Sequence, residues 1–267
     1  MSYKMLVLDL DDTLLTDDHQ ISARNKMRLM QAQEKGVKVV LASGRPTPAM
    51  MRFAEELQLD RFQSYIISFN GAVITDMSSQ QAIFERSLTK EEVHSLHDFS
   101  LKHSVHIITY SEKGIISETE SELIDIERDL TGLPHHLVPS FKEEVSGNAV
   151  KCILLDDPKR LKQVEQVLKE QRKDLSVAIS KPFFLEVMPQ GIDKAASIDV
   201  LAKQLGIDQS QVIAVGNAGN DLSMIEYAGL GVWVDNVTPE LRPKADFIVS
   251  SNMDDGVAEV VERFLLN

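Results

Sequence analysis

Short apolar runs that each stop at a polar cluster, separated by helical patterns, set the architecture this chain can adopt. The first, Leu6-Val7-Leu8, ends in Asp9-Leu10-Asp11; the second, residues 37–42, ends in Ser43-Gly44-Arg45; a late one, residues 212–215, ends in Gly216-Asn217-Ala218-Gly219-Asn220-Asp221. Runs so short and so continuous read as strands buried on both faces of a parallel sheet. In extended chain, residues two apart point the same way, so Asp9 and Asp11 converge just past the strand's carboxyl end. That is where open α/β sheets bind ligands. Two like charges there repel unless a cation or a proton compensates them, which points to a hard metal ion with one carboxylate left for chemistry. An acidic turn closing a strand is the plainer alternative. An EF-hand loop, which also begins Asp-x-Asp, is excluded, because its sixth and twelfth positions, glycine and glutamate, are Leu14 and Gln20 here.

Strand–helix alternation runs the length of the chain and is broken once. Ser22 reads as the N-cap of a helix reaching about Lys35 and closed by Gly36, and a second helix covers residues 48–57. Residues 65–69 form a strand, and Asn70-Gly71 is a hairpin-type turn into Ala72-Val73-Ile74. After Phe84 the pattern changes: residues 91–103 are helical, and residues 106–110 and 115–116 look like edge strands. A glutamate-rich stretch follows, with His135-His136 beside Pro134 in a loop pattern; then come a strand over residues 150–155, a helix from Asp157-Pro158 to about Lys173, and strands over 177–179 and 183–187. From Asp193 the βα rhythm resumes, with Lys194 opening a helix that runs to Leu205. The expected fold is α/β: a Rossmann-like parallel-sheet core over residues 1–83 and 188–267, with an inserted α+β cap domain over residues 84–187.

Composition excludes several classes. A net charge of −13 argues against binding a nucleic-acid backbone and requires that an anionic ligand be held by a local cationic site. The single cysteine, Cys152, permits no internal disulfide and, inside an apolar run, reads as a buried small hydrophobe. No stretch approaches the roughly 20 apolar residues a membrane span needs, so no membrane association is expected. Nothing at the start reads as a secretory signal, and a cytoplasmic location is expected. His103, His106, His135 and His136 do not group as ligands, and Trp233 reads as packing.

The strand-end set, in this order, resembles the haloacid dehalogenase superfamily of phosphohydrolases, and within it the Cof-type branch that dephosphorylates small phosphorylated metabolites. The likeness extends to Phe69-Asn70-Gly71-Ala72, Ala245-Asp246 and the segment Ser251-Asn252-Met253-Asp254-Asp255-Gly256. It implies that Asp9 is a nucleophile giving an aspartyl-phosphate, and that Asp11 is the general acid and then base. It implies further that Ser43, Gly44, Lys194 and Asn220 bind the phosphoryl group, with Arg45 guiding substrate or supporting the loop. Mg²⁺ is the implied cofactor, drawn from Asp9, Asp11 through its backbone carbonyl, Asn217 and Asp221. Two positions depart from the family pattern. Asn217 stands where an aspartate usually ligates the metal, bringing a dipole in place of a charge, unless Asp221 takes over as ligand. Asp12 stands where this branch usually has glycine. The implied activity is a Mg²⁺-dependent phosphatase acting on sugar phosphates or similar metabolites. The alternatives are a phosphometabolite-binding or regulatory protein with little turnover, and a phosphomutase.

Overall fold

Each of the four residues of strand β1 (Met5–Leu8) is fully buried, as a strand covered on both faces must be. After β1 come α1 (Ala23–Glu34), β2 (Lys38–Ala42), α2 (Thr47–Glu56), β3 (Tyr65–Ser68), β4 (Val73–Asp76) and β5 (Gln81–Glu85). Ser22 caps α1 as expected, its Oγ accepting the Asn25 N–H at 3.1 Å. The computed structural model describes residues 3–111 and 113–266 and divides into two units, Met1–Phe84 with Asp193–Asn267, and Glu85–Ile192.

The second unit holds α3 (Lys90–His103), β6 (His106–Ser111), β7 (Gly114–Ser117), α4 (Glu122–Thr131), β8 (His135–Leu137), α5 (Phe141–Glu144), β9 (Cys152–Leu155), α6 (Pro158–Gln171), β10 (Leu175–Lys181) and β11 (Phe184–Pro189). They form one sheet in the order β10-β11-β9-β6-β7-β8. The expectation of edge strands at residues 106–110 and 115–116 is therefore corrected: β6 lies between β9 and β7, and β7 between β6 and β8. The reason is that His135-His136 is strand, not loop: His135 pairs with Ile115 and His136 with Ile116, in parallel, and this covers the edge of β7. The glutamate-rich stretch contains α4, capped by Ser121 and ended by Gly132 in left-handed conformation.

The first unit resumes with α7 (Lys194–Leu205), β12 (Val212–Gly216), α8 (Leu222–Tyr227), β13 (Leu230–Val234), β14 (Phe247–Val249) and α9 (Gly256–Phe264). Its sheet runs β14-β13-β12-β1-β2-β3-β4-β5, parallel from β14 to β3 and antiparallel between β3 and β4. The expected α/β class with a parallel-sheet core holds. Alternate residues face opposite sides: Leu6 and Leu8 pack with Leu29, Phe53 and Val261, while Met5 and Val7 pack with Ile198, Leu201 and Met224. Trp233 is packing, as expected, fully buried with its Nε1–H donated to the Leu241 carbonyl. Among the described residues no helix is long and apolar enough to cross a membrane.

Register fixes what meets at the carboxyl end of this sheet. Leu8 is paired with Leu41 on one side and with Val215 on the other, and Ala42 with Ile67. The chain therefore leaves β1 at Asp9, β2 at Ser43, β12 at Asn217 and β3 at Phe69, all at the same end of neighbouring strands. Because β1 sends the chain to β2 on one side and receives β12 on the other, the sheet reverses its winding direction there, leaving a crevice.

Candidate active site

Lys194 is the first residue of α7, whose N-cap Asp193 accepts the Ala196 N–H, and it is fully buried. Its Nζ donates to Asp9 Oδ1 at 2.6 Å, to Asp221 Oδ1 at 2.6 Å and to the Ala42 carbonyl at 2.8 Å. An ammonium has three protons, so Lys194 is saturated. Burial alone would lower its pKa, but the charges of Asp9 and Asp221 reverse this and hold it raised and charged.

Asp9 is 5% exposed. Burial first, and the Asp221 charge second, push its pKa up to about 7 against the opposing pull of Lys194. Its Oδ1 is taken by Lys194, while Oδ2 accepts no hydrogen bond among the described residues. Asp221 is fully buried, and its Oδ2 accepts the backbone N–H groups of Asn217 at 3.0 Å and Ala218 at 3.1 Å. Two carboxylates against one ammonium leave the centre one negative charge in excess, the condition under which a cation is favoured.

Asp11 belongs to a different pair. The Arg45 guanidinium grips it with both arms, Nε to Oδ2 at 2.8 Å and Nη2 to Oδ1 at 2.6 Å. Burial raises the Asp11 pKa, but the hydrogen bond and charge of Arg45 outweigh it and hold the carboxyl below its ordinary range. The chain reaches this geometry through a tight turn over Leu10–Leu14, in which Asp12 has φ +57°. Aspartate is one of the few residues that enters the left-handed region at small cost.

Ser43 is buried; its Oγ accepts the Arg45 N–H at 3.2 Å and its carbonyl accepts the Asn70 N–H at 2.9 Å. Asn217 is half-buried, with Oδ1 accepting the Thr13 hydroxyl at 3.2 Å. Asn220 is exposed and donates Nδ2 to Asn70 Oδ1 at 3.4 Å. Of the residues singled out from the sequence, Asp9, Lys194 and Asp221 thus share one hydrogen-bonded cluster, Asp11 stands apart with Arg45, and Ser43, Gly44 and Asn220 gather around Asn70. Thr13 escaped sequence reasoning, and so did the Asp11–Arg45 pairing. The signals were a threonine two residues after Asp11 and an arginine two after Ser43, neither informative without its tertiary partner.

Among the described residues no three His, Cys, Asp or Glu side chains group to hold a metal ion. Asp9 Oδ2, the Asp11 backbone carbonyl and Asn217 Oδ1 are all oxygen ligands of the kind a hard divalent cation takes, and the Asn217 backbone N–H is tied to Asp221 Oδ2. Both oxygens of Asp221 are engaged by Lys194 and backbone N–H groups. A cavity of about 500 Å³ within the second unit is lined by Glu120, Glu122 and Asp125 among others. Ser121, Arg128 and His135 complete the lining, so three carboxylates face one guanidinium and the wall is acidic on balance, which disfavours a phosphorylated ligand.

The chain is similar to known proteins over nearly its whole length. The family model described as haloacid dehalogenase-like hydrolase matches residues 6–261. The YxeH protein of Bacillus subtilis (strain 168) is 34% identical over 267 residues, covering 99% of each chain. The same organism's 5-amino-6-(5-phospho-D-ribitylamino)uracil phosphatase YcsE is 29% identical over 263 residues, covering 98% of this chain and 96% of its own. Among solved structures, a haloacid dehalogenase-like hydrolase from Bacteroides thetaiotaomicron superposes with a TM-score of 0.94 at 37% identity, covering 98% of this chain and 99% of that one.

Proposed function

Because the chain belongs to the haloacid dehalogenase-like hydrolases, we propose that it is a Mg²⁺-dependent phosphatase of small phosphorylated metabolites that works through an aspartyl-phosphate on Asp9. Phosphatase function goes with this family, and its phosphatases are generally metal-dependent. The observation that carries the mechanism is the state of Asp9: buried at the end of β1, one oxygen fixed by Lys194 and the other accepting no hydrogen bond among the described residues. A carboxylate so held is oriented for attack and stripped of the water that would blunt it.

Asp9 Oδ2 bonds to phosphorus while the bond from phosphorus to the leaving oxygen breaks, and protonated Asp11 gives its proton to that oxygen. Asp11, then ionised, takes a proton from water as the water attacks phosphorus and frees Asp9 and phosphate. Arg45 favours the ionised form of Asp11, the one needed for this second step, so the first step requires Asp11 to leave Arg45 and take up the proton it then donates. Ser43 and Asn220 donate to phosphoryl oxygens, and Lys194 offsets the charge that builds there. Asp9, the Asp11 carbonyl and Asn217 would hold the Mg²⁺, while Asp221 serves to fix Lys194 in place of ligating metal. When bound, the ion neutralises charge between an anionic nucleophile and an anionic phosphoryl group.

The substrate class rests on likeness to relatives such as YcsE, whose name specifies a phosphorylated ribityl compound. Turnover of p-nitrophenyl phosphate with Mg²⁺ and with chelator tests hydrolysis against mere binding. In the same assay Asp9→Asn should fold normally and keep less than about one per cent of the rate, since it removes only the nucleophile. A greater residual rate would remove Asp9 from that role.

A further inference from the structure

The loop after β3 is the most strained stretch near the site. Phe69, Asn70 and Gly71 follow one another with φ of +51°, +55° and +109°. Two consecutive non-glycine residues in the left-handed region cost free energy that only surrounding structure sustains, and such strain collects where side chains must be aimed. The surroundings are specific. The Asn70 N–H donates to the Ser43 carbonyl at 2.9 Å, and Ser197 Oγ donates to the Gly71 carbonyl. A Cβ on Gly71 would lie 2.4 Å from the Asp193 carbonyl oxygen, so the loop is seated against the start of the helix that carries Lys194.

The strained turn lays the Asn70 carboxamide on Gly44. A Cβ built on Gly44 would come within 3.1 Å of Asn70 Nδ2 and 3.2 Å of its Oδ1. Asn220 donates to that Oδ1, leaving Nδ2, with two protons, donating to no atom among the described residues. A side-chain amide fixed by strain, with its acceptor end occupied and its donor end unused, stands between Ser43-Gly44 and Asn220.

We propose that Asn70 is a phosphate-binding residue whose Nδ2 donates to an oxygen of the phosphoryl group held by Ser43 and Asn220. The assignment rests on the phosphatase reading but adds a ligand to it. It also gives a reason for glycine at position 44, whose missing side chain leaves room for the amide.

The experiment measures binding of inorganic phosphate by calorimetry at fixed Mg²⁺, turnover of p-nitrophenyl phosphate, and the melting temperature, for the wild-type chain, Asn70→Gly and Asn70→Asp. Glycine relieves the left-handed strain and deletes the amide; aspartate tolerates the conformation, keeps the acceptor for Asn220 and replaces the donor with a negative charge. Asn70→Gly should melt no lower than wild type yet bind phosphate about tenfold or more weakly, with kcat/KM falling in step. Asn70→Asp should bind still more weakly. A turn residue with no ligand would leave phosphate affinity within about threefold in both variants, and that result overturns the proposal. A wild-type chain that binds no phosphate also overturns it. A wild-type chain that binds phosphate but turns nothing over, with binding weakened in the variants, removes the hydrolase reading and leaves Asn70 as a phosphate ligand.

Discussion

A lysine without exposed surface persists only where its charge is fully answered, and Lys194 answers two carboxylates at once. Removing it leaves Asp9 and Asp221 buried with no counter-ion, so Lys194→Ala should destabilise the chain by about 3–5 kcal/mol, measured by urea unfolding. Asp9→Asn removes the excess charge instead and should cost far less; equal losses in the two variants would contradict this charge balance. The neighbouring Asn217 brings only a dipole to the proposed metal site. Asn217→Asp adds a ligand charge and should lower the Mg²⁺ concentration giving half-maximal rate, with kcat less affected. An unchanged or higher requirement would show that position 217 does not ligate the ion. At this scale the sequence displayed the reacting groups but not their pairings. Asp9, Lys194 and Asp221 announce themselves at strand and helix ends, because register alone carries them to one place. That Arg45 pairs with Asp11, or Thr13 with Asn217, depends on contacts spanning 34 and 204 positions that no local pattern encodes.

Elements with strong local signals were legible in the same way: Ser22 caps α1, and the buried apolar runs became β1, β2 and β12. Those that exist only through a partner were not. His135-His136-Leu137 has little strand character of its own and is strand because β7 offers an open edge. The turn after β3 is intermediate. Asn70-Gly71 signalled a hairpin, and β3 and β4 do pair antiparallel, but Ser68 is paired with Val73, so four residues turn where a tight hairpin has two. The wider turn accommodates the left-handed run at Phe69, Asn70 and Gly71. Gly71→Ala should therefore be costly out of proportion to one methyl group, since φ of +109° suits glycine and the added carbon meets a backbone oxygen at 2.4 Å. A loss above about 2 kcal/mol in urea unfolding is expected, with activity reduced as the loop shifts. Unchanged stability would mean that the loop yields freely, which its contacts to Asp193 and Ser197 oppose.

Across the whole molecule, the burial is divided. The clusters around Leu6, Leu41 and Val261, and around Val7, Val40 and Trp233, belong to the first unit. Those around Val93, Cys152 and Leu154, and around Ile108, Ile153 and Phe184, belong to the second. Two separate sets of cores imply two cooperative units, each free to open at its own cost. Cys152 supplies a probe of one of them. It is the chain's only cysteine, fully buried in the second unit, and burial pushes its thiol up to about 12, so neither access nor ionisation permits reaction in the folded state. Labelling by a thiol reagent must then wait for the second unit to open. Leu154→Ala and Leu41→Ala each delete a fully buried side chain and should each cost about 2–5 kcal/mol in their own unit. Leu154→Ala should speed labelling of Cys152 by about thirtyfold or more in native buffer, while Leu41→Ala, in the other unit, should leave the rate near that of the parent. Equal acceleration by both variants would mean that the chain opens as one body, despite burying its apolar surface in two.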